Sequence, residues 1–422
     1  MLKLQRVCPT CLTLPALGAA VVLTALALPA AAVDFVSSDR TLANGNPMNT
    51  SYSGQAIIVG ASSIFNGDVV RVANVKVDIV APAQLNFSDA NGGYLAAYSN
   101  SSVHMQGGTA GSASSFTNVG RFTGYDTSQI EISGGSLSGL TLFGAAPGAA
   151  GARATVGGGV MQSSAGIVAY INNGTLEVTG GSILAIGGNG QPGIQADAGS
   201  VIRISGGTVQ SSSFAAAYIQ ANSLFSMTGG TLTGGAGGGA QWGLRLQATT
   251  STASVRGGTV NGGVRADAGL NQPALQAALG GSLAVNGGVF AYGNAALNVT
   301  GGSYTRYAGA DAAFFAMGSN TINFFGTDLT LSAPTPGSVF ETNNYTGNFY
   351  TFTGGTFSDG QSAVGLRLFD AVSVAGNQLG GGFTLNPPAP VPEPSTWLML
   401  LLALPGVAAV AARRRSTQTR PA

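Results

Sequence analysis

The chain has 422 residues, of which 66 are Gly and 17 are Pro; 45% are hydrophobic and only 8% are charged. This composition excludes a disordered chain, which would be poor in apolar residues and rich in charge, and collagen, which needs Gly at every third position and far more Pro. With 17 basic and 16 acidic residues the net charge is +1, so the charge balance does not favour a nucleic-acid partner, and a single His argues against a histidine-built metal site.

The N-terminus has the features of a secretory signal peptide over residues 1–32. Lys3 and Arg6 give it a positive start, residues 16–28 are apolar, and small residues including Ala30 and Ala32 form the cleavage site. The protein is therefore predicted to be exported.

Both cysteines, Cys8 and Cys11, lie inside this leader. Their CxxC spacing is compatible with redox or metal chemistry, but removal of the leader would leave the mature body without thiols or disulfides. No cofactor is expected.

Residues 33–386 read as one glycine-rich repeat domain. Gly-Gly pairs recur about every 25 residues, and the residues four and two places before each pair are apolar around a mostly polar residue. This period of two predicts a strand with one buried face, and a second strand is predicted after the glycines, whose positive φ allows a sharp bend. The pairs used for this alignment start at Gly107, Gly134, Gly158, Gly180, Gly206, Gly229, Gly257, Gly287, Gly301 and Gly354.

One such unit cannot bury its apolar face alone, so copies must stack, each strand bonding to its counterpart in the next coil. We therefore predict an all-β fold, a parallel, right-handed β-helix of about 14 coils in which Leu176 and Ile202 touch. Propellers, leucine-rich repeats and calcium-binding nonapeptides fit less well, because their periods or signature residues are missing. The pattern resembles autotransporter passenger domains and the pectin-lyase-like β-helix, a resemblance of shape that implies no catalytic motif.

The polar residue of the first strand should point outward in every coil and form one column. Glu177 and Arg203 are expected to form an exposed ion pair worth about 0.2–1 kcal/mol. The alternative makes Glu131 and Glu177, about 9.6 Å apart, the acid and base of an inverting glycosidase, although a flat column has no cleft to shift either pKa. The column is predicted to contain His104, Glu131, Thr155, Glu177, Arg203, Ser226, Ser254, Ala284, Asn298 and Thr351.

A β-helix polysaccharide lyase would need clustered acids for calcium and a basic residue to remove a proton. Lys76 is the sole lysine of the body and the Asp residues are scattered; Asp197 and Asp267 share the string ADAG, which is typical of a turn before a strand. His104 is interpreted as a solvated strand residue. We therefore predict no catalytic, cofactor-binding or metal-binding residue, and a protein that is not an enzyme.

Aromatic residues are concentrated near the C-terminal end of the body, where 14 of the 32 lie between Tyr304 and Phe383. Adjacent aromatics on a strand cannot both point inward, so one of each pair should lie outside. Two interpretations stay open: a wider, covered core, or a sugar-stacking or self-association patch with Phe325 and Phe349 as its test positions. The adjacent pairs are Phe314–Phe315, Phe324–Phe325 and Phe349–Tyr350.

A Pro-rich linker over residues 387–396 precedes an apolar stretch, 397–412, and a basic tail, 413–422. Sixteen apolar residues span about 24 Å as a helix, slightly under the hydrocarbon core of about 30 Å, and predict a short transmembrane helix. The arginines of the tail favour the cytoplasmic side of the inner membrane, and this orientation places the body on the opposite side. The anchor residues are Trp397, Leu398, Leu400, Leu401, Leu402 and Leu404, and the basic stop is Arg413, Arg414 and Arg415.

Val391-Pro392-Glu393-Pro394, an apolar helix and a terminal Arg cluster resemble the PEP-CTERM sorting signal of Gram-negative bacteria. The resemblance implies recognition by an exosortase, a transpeptidase-like membrane enzyme that would cut near Pro-Glu-Pro, and an association with exopolysaccharide. We expect an exported, non-catalytic structural or adhesive protein, tethered transiently to the membrane and then located at the cell surface or outside the cell.

Two alternatives to this function remain. A carbohydrate-active β-helix enzyme, either a polysaccharide lyase or a glycoside hydrolase, predicts a groove that holds at least two carboxylates and an Arg or Lys. The repeats could also be neutral filler behind a sorting tag.

Overall fold

The computed structural model describes 17 stretches of the chain, and every structural statement below concerns these residues. The predicted signal peptide, the Val391–Pro394 motif, the apolar stretch 397–412 and the basic tail lie outside them. Among the described residues, none forms a helix of the length and hydrophobicity that a membrane span requires. The stretches are 33–36, 56–59, 69–73, 76–79, 84–85, 94–98, 100–110, 121–144, 151–188, 190–235, 242–247, 251–268, 275–307, 310–340, 344–374, 377–379 and 382–388.

The body is an all-β parallel solenoid, and its regular turns have three faces. Face 1 is the strand before the paired glycines, face 2 the strand after them, and face 3 the strand that leads into the next turn. Each strand is hydrogen-bonded in parallel to its counterpart one turn away; Leu176, for example, pairs with Ile202. The predicted contact between these two residues is therefore confirmed, while the hand of the coil stays a prediction.

The strands of face 1 are Val33–Val36, Ala56–Val59, Lys76–Ile79, Ser102–Met105, Gln129–Ile132, Arg153–Val156, Thr175–Val178, Val201–Ile204, Leu224–Met227, the first parts of Thr252–Asn261 and Gln276–Asn286, Ala296–Val299, Thr321–Leu331 and Gly382–Asn386. Those of face 2 are Gln84–Leu85, Thr109–Ala110, Ser136–Leu137, Val160–Ser163, Ser182–Ala185, Thr208–Ser211, Thr231–Thr233, the second parts of Thr252–Asn261 and Gln276–Asn286, and Ser303–Tyr304. Face 3 contains Val69–Ala73, Tyr94–Tyr98, Arg121–Tyr125, Gly139–Phe143, Ala169–Asn172, Ile194–Asp197, Ala217–Ile219, Leu244–Gln247, Val264–Ala268, Val289–Gly293, Phe314–Met317 and Arg367–Val374.

The core fills the space between the three faces, and the alternation of side chains explains why. Along the strand Gln129–Ile132, burial alternates between exposed and buried positions, with Ile130 and Ile132 inside. The apolar positions predicted from the sequence follow this pattern through the regular turns, as at Leu176 and Val178, which are fully buried. Stacking thus removes from water the apolar face that a single turn would leave exposed.

The bend between faces 1 and 2 is made by the paired glycines. The second glycine has a positive φ, 74° at Gly207 and 70° at Gly181, as predicted. A Cβ atom added at Gly207 would lie 2.5 Å from the carbonyl oxygen of Gly180 in the preceding turn. Glycine is therefore required here both by the backbone conformation and by the close approach of neighbouring turns.

One of the aligned glycine pairs was the wrong landmark. Leu283 and Val285 lie on face 2, paired with Gly258 and Val260, and not on face 1 as the alignment on Gly287 predicts. The bend of this turn is Gly280-Gly281. Ala278 therefore replaces Ala284 in the outward column of face 1, because Ala278 pairs with Ser254 and with Asn298.

The C-terminal end departs from the predicted repeat. Gly354 lies inside the strand Asn344–Phe357, which pairs antiparallel with Thr321–Leu331, with Thr335–Phe340 and with Arg367–Val374. Asn377–Gln378 adds a further antiparallel pairing. These antiparallel strands, Thr335–Phe340, Asn344–Phe357, Arg367–Val374 and Asn377–Gln378, form a cap at the C-terminal end of the solenoid. Thr351 lies in this cap and does not belong to the outward column. The expected 14 regular coils are not confirmed, because the described residues give face 1 fourteen strands but faces 2 and 3 only ten and twelve.

Several aromatic residues near the C-terminal end lie inside the core. Phe314, Phe324 and Phe352 are buried there, with ring centroids 5.0 Å apart for Phe314 and Phe324 and 5.1 Å apart for Phe324 and Phe352. This favours the interpretation of a wider, covered core. Phe315 is also fully buried, so the prediction that one member of each pair lies outside is wrong for Phe314–Phe315.

Phe315 is buried because face 3 has a second apolar layer on its outside, here called the outer aromatic cluster. Phe315 stacks on Phe290 with centroids 4.2 Å apart, and Trp242 packs edge-on to Phe290 at 4.8 Å. Outward-pointing residues of face 3 are thus removed from water at this end. The buried members are Ala215, Trp242, Phe290, Tyr292, Ala312, Phe315, Met317, Val339, Tyr345, Phe369 and Ala371.

Candidate functional site

The outward column of face 1 exists where the sequence predicts it in the regular turns. His104, Glu131, Thr155, Glu177 and Arg203 are consecutive partners in the parallel ladder. The predicted ion pair is confirmed, since Arg203 Nη1 lies 3.0 Å from Glu177 Oε1. Both side chains are about half exposed, so the pair adds little to stability.

His104 is held in a small surface network. Its Nε2 lies 3.0 Å from Ser133 Oγ and 3.6 Å from Glu131 Oε1, and its Nδ1 lies 3.2 Å from Gln106 Nε2. These contacts join neighbouring turns on the outside of the solenoid. These contacts agree with the interpretation of His104 as a strand residue, and through them His104 links its own turn to the next one.

A depression of about 340 Å³ lies on face 1 between the two glutamates weighed in the sequence. Glu131 and Glu177 are separated by the turn of Thr155, hence by about 9.6 Å. Arg153 also lines the depression, which therefore holds two carboxylates and one guanidinium. Its lining residues are Ser102, Gln129, Ile130, Glu131, Arg153, Ala154, Thr155, Thr175 and Glu177.

The two aspartates of the ADAG strings lie at the ends of face-3 strands. Asp197 accepts a hydrogen bond from Gln195 at 3.0 Å, and a positive-φ turn at Ala198-Gly199 follows it, as predicted for a turn before a strand. Asp267 contacts Arg265 Nε at 2.8 Å and Arg245 Nη2 at 3.2 Å. Both aspartates thus take part in packing on the outside of face 3. The side chain of Lys76 lies outside the described set.

The outside of face 3 carries features that the sequence reasoning missed. Four aromatic residues, here called the aromatic stripe, follow one another across consecutive turns: Tyr98, Tyr125, Phe143 and Tyr170. Tyr98 and Tyr125 stack with centroids 4.6 Å apart and planes 3° apart, Tyr125 and Phe143 stack at 5.3 Å, and Phe143 meets Tyr170 edge-on at 6.1 Å. The stripe is half-buried, so its rings border solvent.

Beside the stripe lies an open groove of about 500 Å³. Arg121 lies along its floor: Nη2 donates to the carbonyl oxygens of Leu140 at 3.3 Å and Val168 at 3.5 Å. Burial lowers the pKa of Arg121 to about 10, which still leaves it charged at neutral pH. The groove is lined by Arg121, Thr123, Tyr125, Thr141, Phe143, Gly166, Ile167, Tyr170 and Gln191.

Further along face 3, amides and arginines replace the stripe. Gln195 Nε2 donates to Gln220 Oε1 at 3.1 Å, and Gln220 Nε2 donates to Tyr218 at 2.7 Å. Burial raises the pKa of the Tyr218 phenol, an effect that the Arg245 charge opposes. The polar groups of this stretch are therefore connected from turn to turn.

The arginines of face 3 pack on aromatic rings. Arg265 lies 4.2 Å from the Tyr292 ring centroid and 5.5 Å from that of Trp242, while Arg245 lies 5.2 Å from that of Tyr218. Such contacts stabilise a guanidinium that is largely removed from water. They tie this part of face 3 into the outer aromatic cluster.

The C-terminal test positions differ from an exposed binding patch. Phe349 is half-buried, with Arg367 over its ring at 4.2 Å and Phe369 at 4.9 Å. Arg367 also lies 2.6 Å from Asp311, whose pKa is lowered by hydrogen bonds from Arg306 and Arg367. Phe325 is half-buried on the strand Thr321–Leu331. The rings near the cap are thus mainly engaged in internal contacts.

Face 3 was missed because its strands follow loops of variable length, so the Gly-Gly alignment places them out of step. A signal exists in the short segments that end in an aromatic or amide residue, such as Gly139–Phe143 and Leu244–Gln247, but only the ladder aligns them. Within the described ranges, no group of three or more His, Cys, Asp or Glu side chains is arranged to hold a metal ion.

Comparison with known proteins locates one match. Residues 390–415 match the PEP-CTERM protein-sorting motif. No curated protein matches the chain, and no solved structure matches it. The sorting motif indicates a protein that is exported in a Gram-negative bacterium and sorted by an exosortase to the cell surface or the exterior.

Proposed function

We propose that this protein is a non-catalytic structural or adhesive component of the cell surface or extracellular matrix, associated with exopolysaccharide. The observation that carries the proposal is the sorting motif at residues 390–415 behind a solenoid of stacked turns. The engagement of outward groups also supports it, since Glu177 pairs with Arg203 and Asp267 with two arginines. These side chains connect turns to one another.

In this proposal the two ends of the chain direct the body to its place. The leader is cut after Ala32, the helix over 397–412 holds the protein in the inner membrane with Arg413–Arg415 inside, and exosortase cuts near Pro394. The expected product spans residues 33 to about 394. Its mass, measured on protein recovered from the host, tests the fate of the tail.

A variant pair sharpens this measurement. Pro392→Ala alters the motif, whereas Pro388→Ala alters the linker just upstream of it. We expect the first variant to keep its C-terminal tail and the second to be cut as in the wild type. A full-length tail on the wild-type protein at the cell surface would contradict the processing step.

Association with the matrix is tested separately. The wild-type protein should co-fractionate with the exopolysaccharide of its host and dissociate when the polysaccharide is digested. A protein that remains entirely with the washed inner membrane would overturn the proposed function.

A carbohydrate-active enzyme is the second candidate, and the depression between Glu131 and Glu177 favours it. The depression has the two carboxylates and the Arg that such an enzyme requires, at the wide edge of the separation for inverting hydrolysis. Screening acidic polysaccharides for cleavage, with Glu131→Gln and Glu177→Gln as test variants and the exposed Asp126→Asn as control, separates the candidates. Cleavage that both test variants abolish would make the protein an enzyme.

A further inference from the structure

The last strand of face 1, Gly382–Asn386, lies at the open end of the solenoid. In the described part of the chain it pairs with Thr321–Leu331 alone, so no further turn covers it there. Phe383 and Leu385 occupy core positions, and their partners in the preceding turn are fully buried. Leu385 is nevertheless 37% exposed, and Phe383 is half-buried. A strand with such incomplete cover opens more easily than the strands inside the stack.

A carboxylate lies beside the start of this strand, on the core side of face 3. Asp370 pairs with Ala316, which is fully buried in the core, and a Cβ atom added at Gly382 would lie 3.8 Å from Asp370 Oδ2. Asp370 Oδ1 is buried, and no described residue donates a hydrogen bond to it. When this carboxyl group ionises, Oδ1 lacks both water and a donor, which disfavours the closed arrangement of the two strands.

The described strands around Asp370 offer no charge that would offset its ionisation. They contain no Asp, Glu, Lys, Arg or His, and the sequence has no charged residue between Asp370 and Glu393. The strands packed against that of Asp370 are Phe314–Met317, Asn344–Phe357, Asn377–Gln378 and Gly382–Asn386.

The remaining ionisable side chains near Asp370 are two tyrosines and one arginine. Tyr350 lies on the core side, where burial and the Asp370 charge raise its pKa, so its phenol stays neutral. Tyr345 belongs to the outer aromatic cluster. Arg367 lies on the same outer side, over the Phe349 ring, and is paired with Asp311. The ionised Asp370 carboxylate therefore has no cationic neighbour on its own side of these strands.

We propose that ionisation of Asp370 releases the strand Gly382–Asn386 from the end of the solenoid, so that this strand is a pH-sensitive strap ahead of the sorting motif. While the carboxyl group is protonated it is neutral, and the strand stays paired with Thr321–Leu331. Burial raises the pKa of Asp370 to about 6, so at neutral pH the carboxyl group is ionised and the equilibrium shifts toward the open strand.

Release of the strap would lengthen the chain in front of the expected cut near Pro394. With the strand paired, residues 387–394 join the solenoid to the cut, whereas residues 382–394 do so once it is released. The five added residues extend the connection by about 17 Å at most. This consequence rests on the proposed processing by exosortase, whereas the release of the strand does not depend on it.

Hydrogen exchange of the full chain in detergent tests the strap. Protection factors, which remove the intrinsic effect of pH on exchange, are measured for the amides of residues 382–386 at about pH 4.5 and about pH 7.5. We expect the protection of the wild type to be about tenfold lower at the higher pH, where Asp370 is ionised. Asp370→Asn should keep the high protection at both pH values, because its amide stays neutral.

Asp126→Asn is the matched control, since it removes an exposed carboxylate from a turn of the regular solenoid and should exchange as the wild type does. Equal protection of residues 382–386 at both pH values in the wild type would overturn the inference, and so would a pH dependence that persists in Asp370→Asn. An equal loss of protection at Val201–Ile204, inside the stack, would also overturn it, because the whole fold would then respond to pH. The mass of the processed protein is read separately, so the strap can fail while the proposed function stands.

Discussion

Single glycines determine how closely the turns can approach one another. At Gly207 the backbone has a φ of 74°, and the carbonyl oxygen of Gly180 occupies the space next to the missing Cβ. A side chain at such a position would destabilise the fold for two reasons, because the backbone conformation is left-handed and because the side chain would contact the neighbouring turn. The same arrangement recurs at each regular bend.

Gly207→Ala should therefore lower the free energy of unfolding by at least about 1–2 kcal/mol. Urea unfolding followed by circular dichroism measures this. Gly188→Ala is the control, because a Cβ atom added there meets nothing within 4 Å. It should change stability little, and an equal loss in both variants would contradict this account of the bend.

A second residue-scale feature is the carboxylate of Asp370, in the last strand of face 3. Burial raises its pKa from 3.8 to about 6, and its Oδ1 accepts no hydrogen bond from any described residue. Between these two pKa values the folded state keeps a proton that the unfolded state has released. Stability therefore falls as the pH rises through this window.

Asp370→Asn should remove this loss because the amide stays neutral. We expect the variant to be more stable than the wild type at about pH 7.5, by about 1 kcal/mol after allowing for partial exposure, and similar to it at about pH 4. Urea unfolding at both pH values tests this. If the difference between the two proteins is the same at both, the Asp370 carboxylate does not titrate as stated.

At the scale of strands, the outer aromatic cluster shows that an outward position on a solenoid face need not be exposed. Phe315 points away from the core yet is fully buried, because Phe290, Tyr307 and Phe369 pack around it. Phe325 points outward on face 1 and is only half-buried. Phe315 on face 3 should therefore contribute more to the stability of the fold than Phe325 on face 1.

Phe315→Ala should cost about 3–5 kcal/mol, the usual range for deleting a fully buried Phe. Phe325→Ala should cost less than about 1.5 kcal/mol, because much of its ring already contacts water. The urea midpoints of the two variants give the comparison. A larger effect at Phe325 would mean that the outer aromatic cluster does not stabilise the fold.

The strands of face 1 could be predicted because each is anchored to a glycine pair and alternates with a period of two. Ile202 and Ile204 illustrate this: pattern, bend and burial agree. The assignment failed where two glycine pairs compete, as at Gly280 and Gly287, since both satisfy the local pattern. It also failed at Gly354, because an antiparallel strand has the same alternation as a parallel one.

The sites were less predictable than the strands. The ion pair of Glu177 and Arg203 lies in one column and follows from spacing alone. The groove of Arg121 combines three face-3 strands with the loop residues Ile167 and Gln191, whose positions depend on loops of unequal length. The spacing of residues along the chain therefore does not predict which of them line this groove.

At the scale of the whole molecule, processing would change the charge of the protein. Residues 33–422 contain 15 basic and 16 acidic residues, a net charge of −1, whereas residues 33–394 contain 11 and 16, a net charge of −5. The body alone is therefore mildly acidic, which favours solubility. The difference between the two forms resides entirely in the arginines of the tail.

Isoelectric focusing of the protein recovered from its host should therefore give a band at a more acidic pH than the band of the Pro392→Ala variant. The Pro388→Ala variant should focus with the wild type. A single shared position for all three proteins would mean that the tail is kept in each or lost in each.

In the regular turns that the structure describes, each strand pairs with its counterparts one turn before it and one turn after it. The molecule can therefore gain or lose a whole turn by duplication or deletion of the corresponding gene segment. The flanking turns would then pair with each other through the same parallel ladder. Its length would then vary in steps of about 4.8 Å, one strand spacing. The length of the solenoid is therefore determined by the number of turns that the gene encodes and is independent of what the three faces bind.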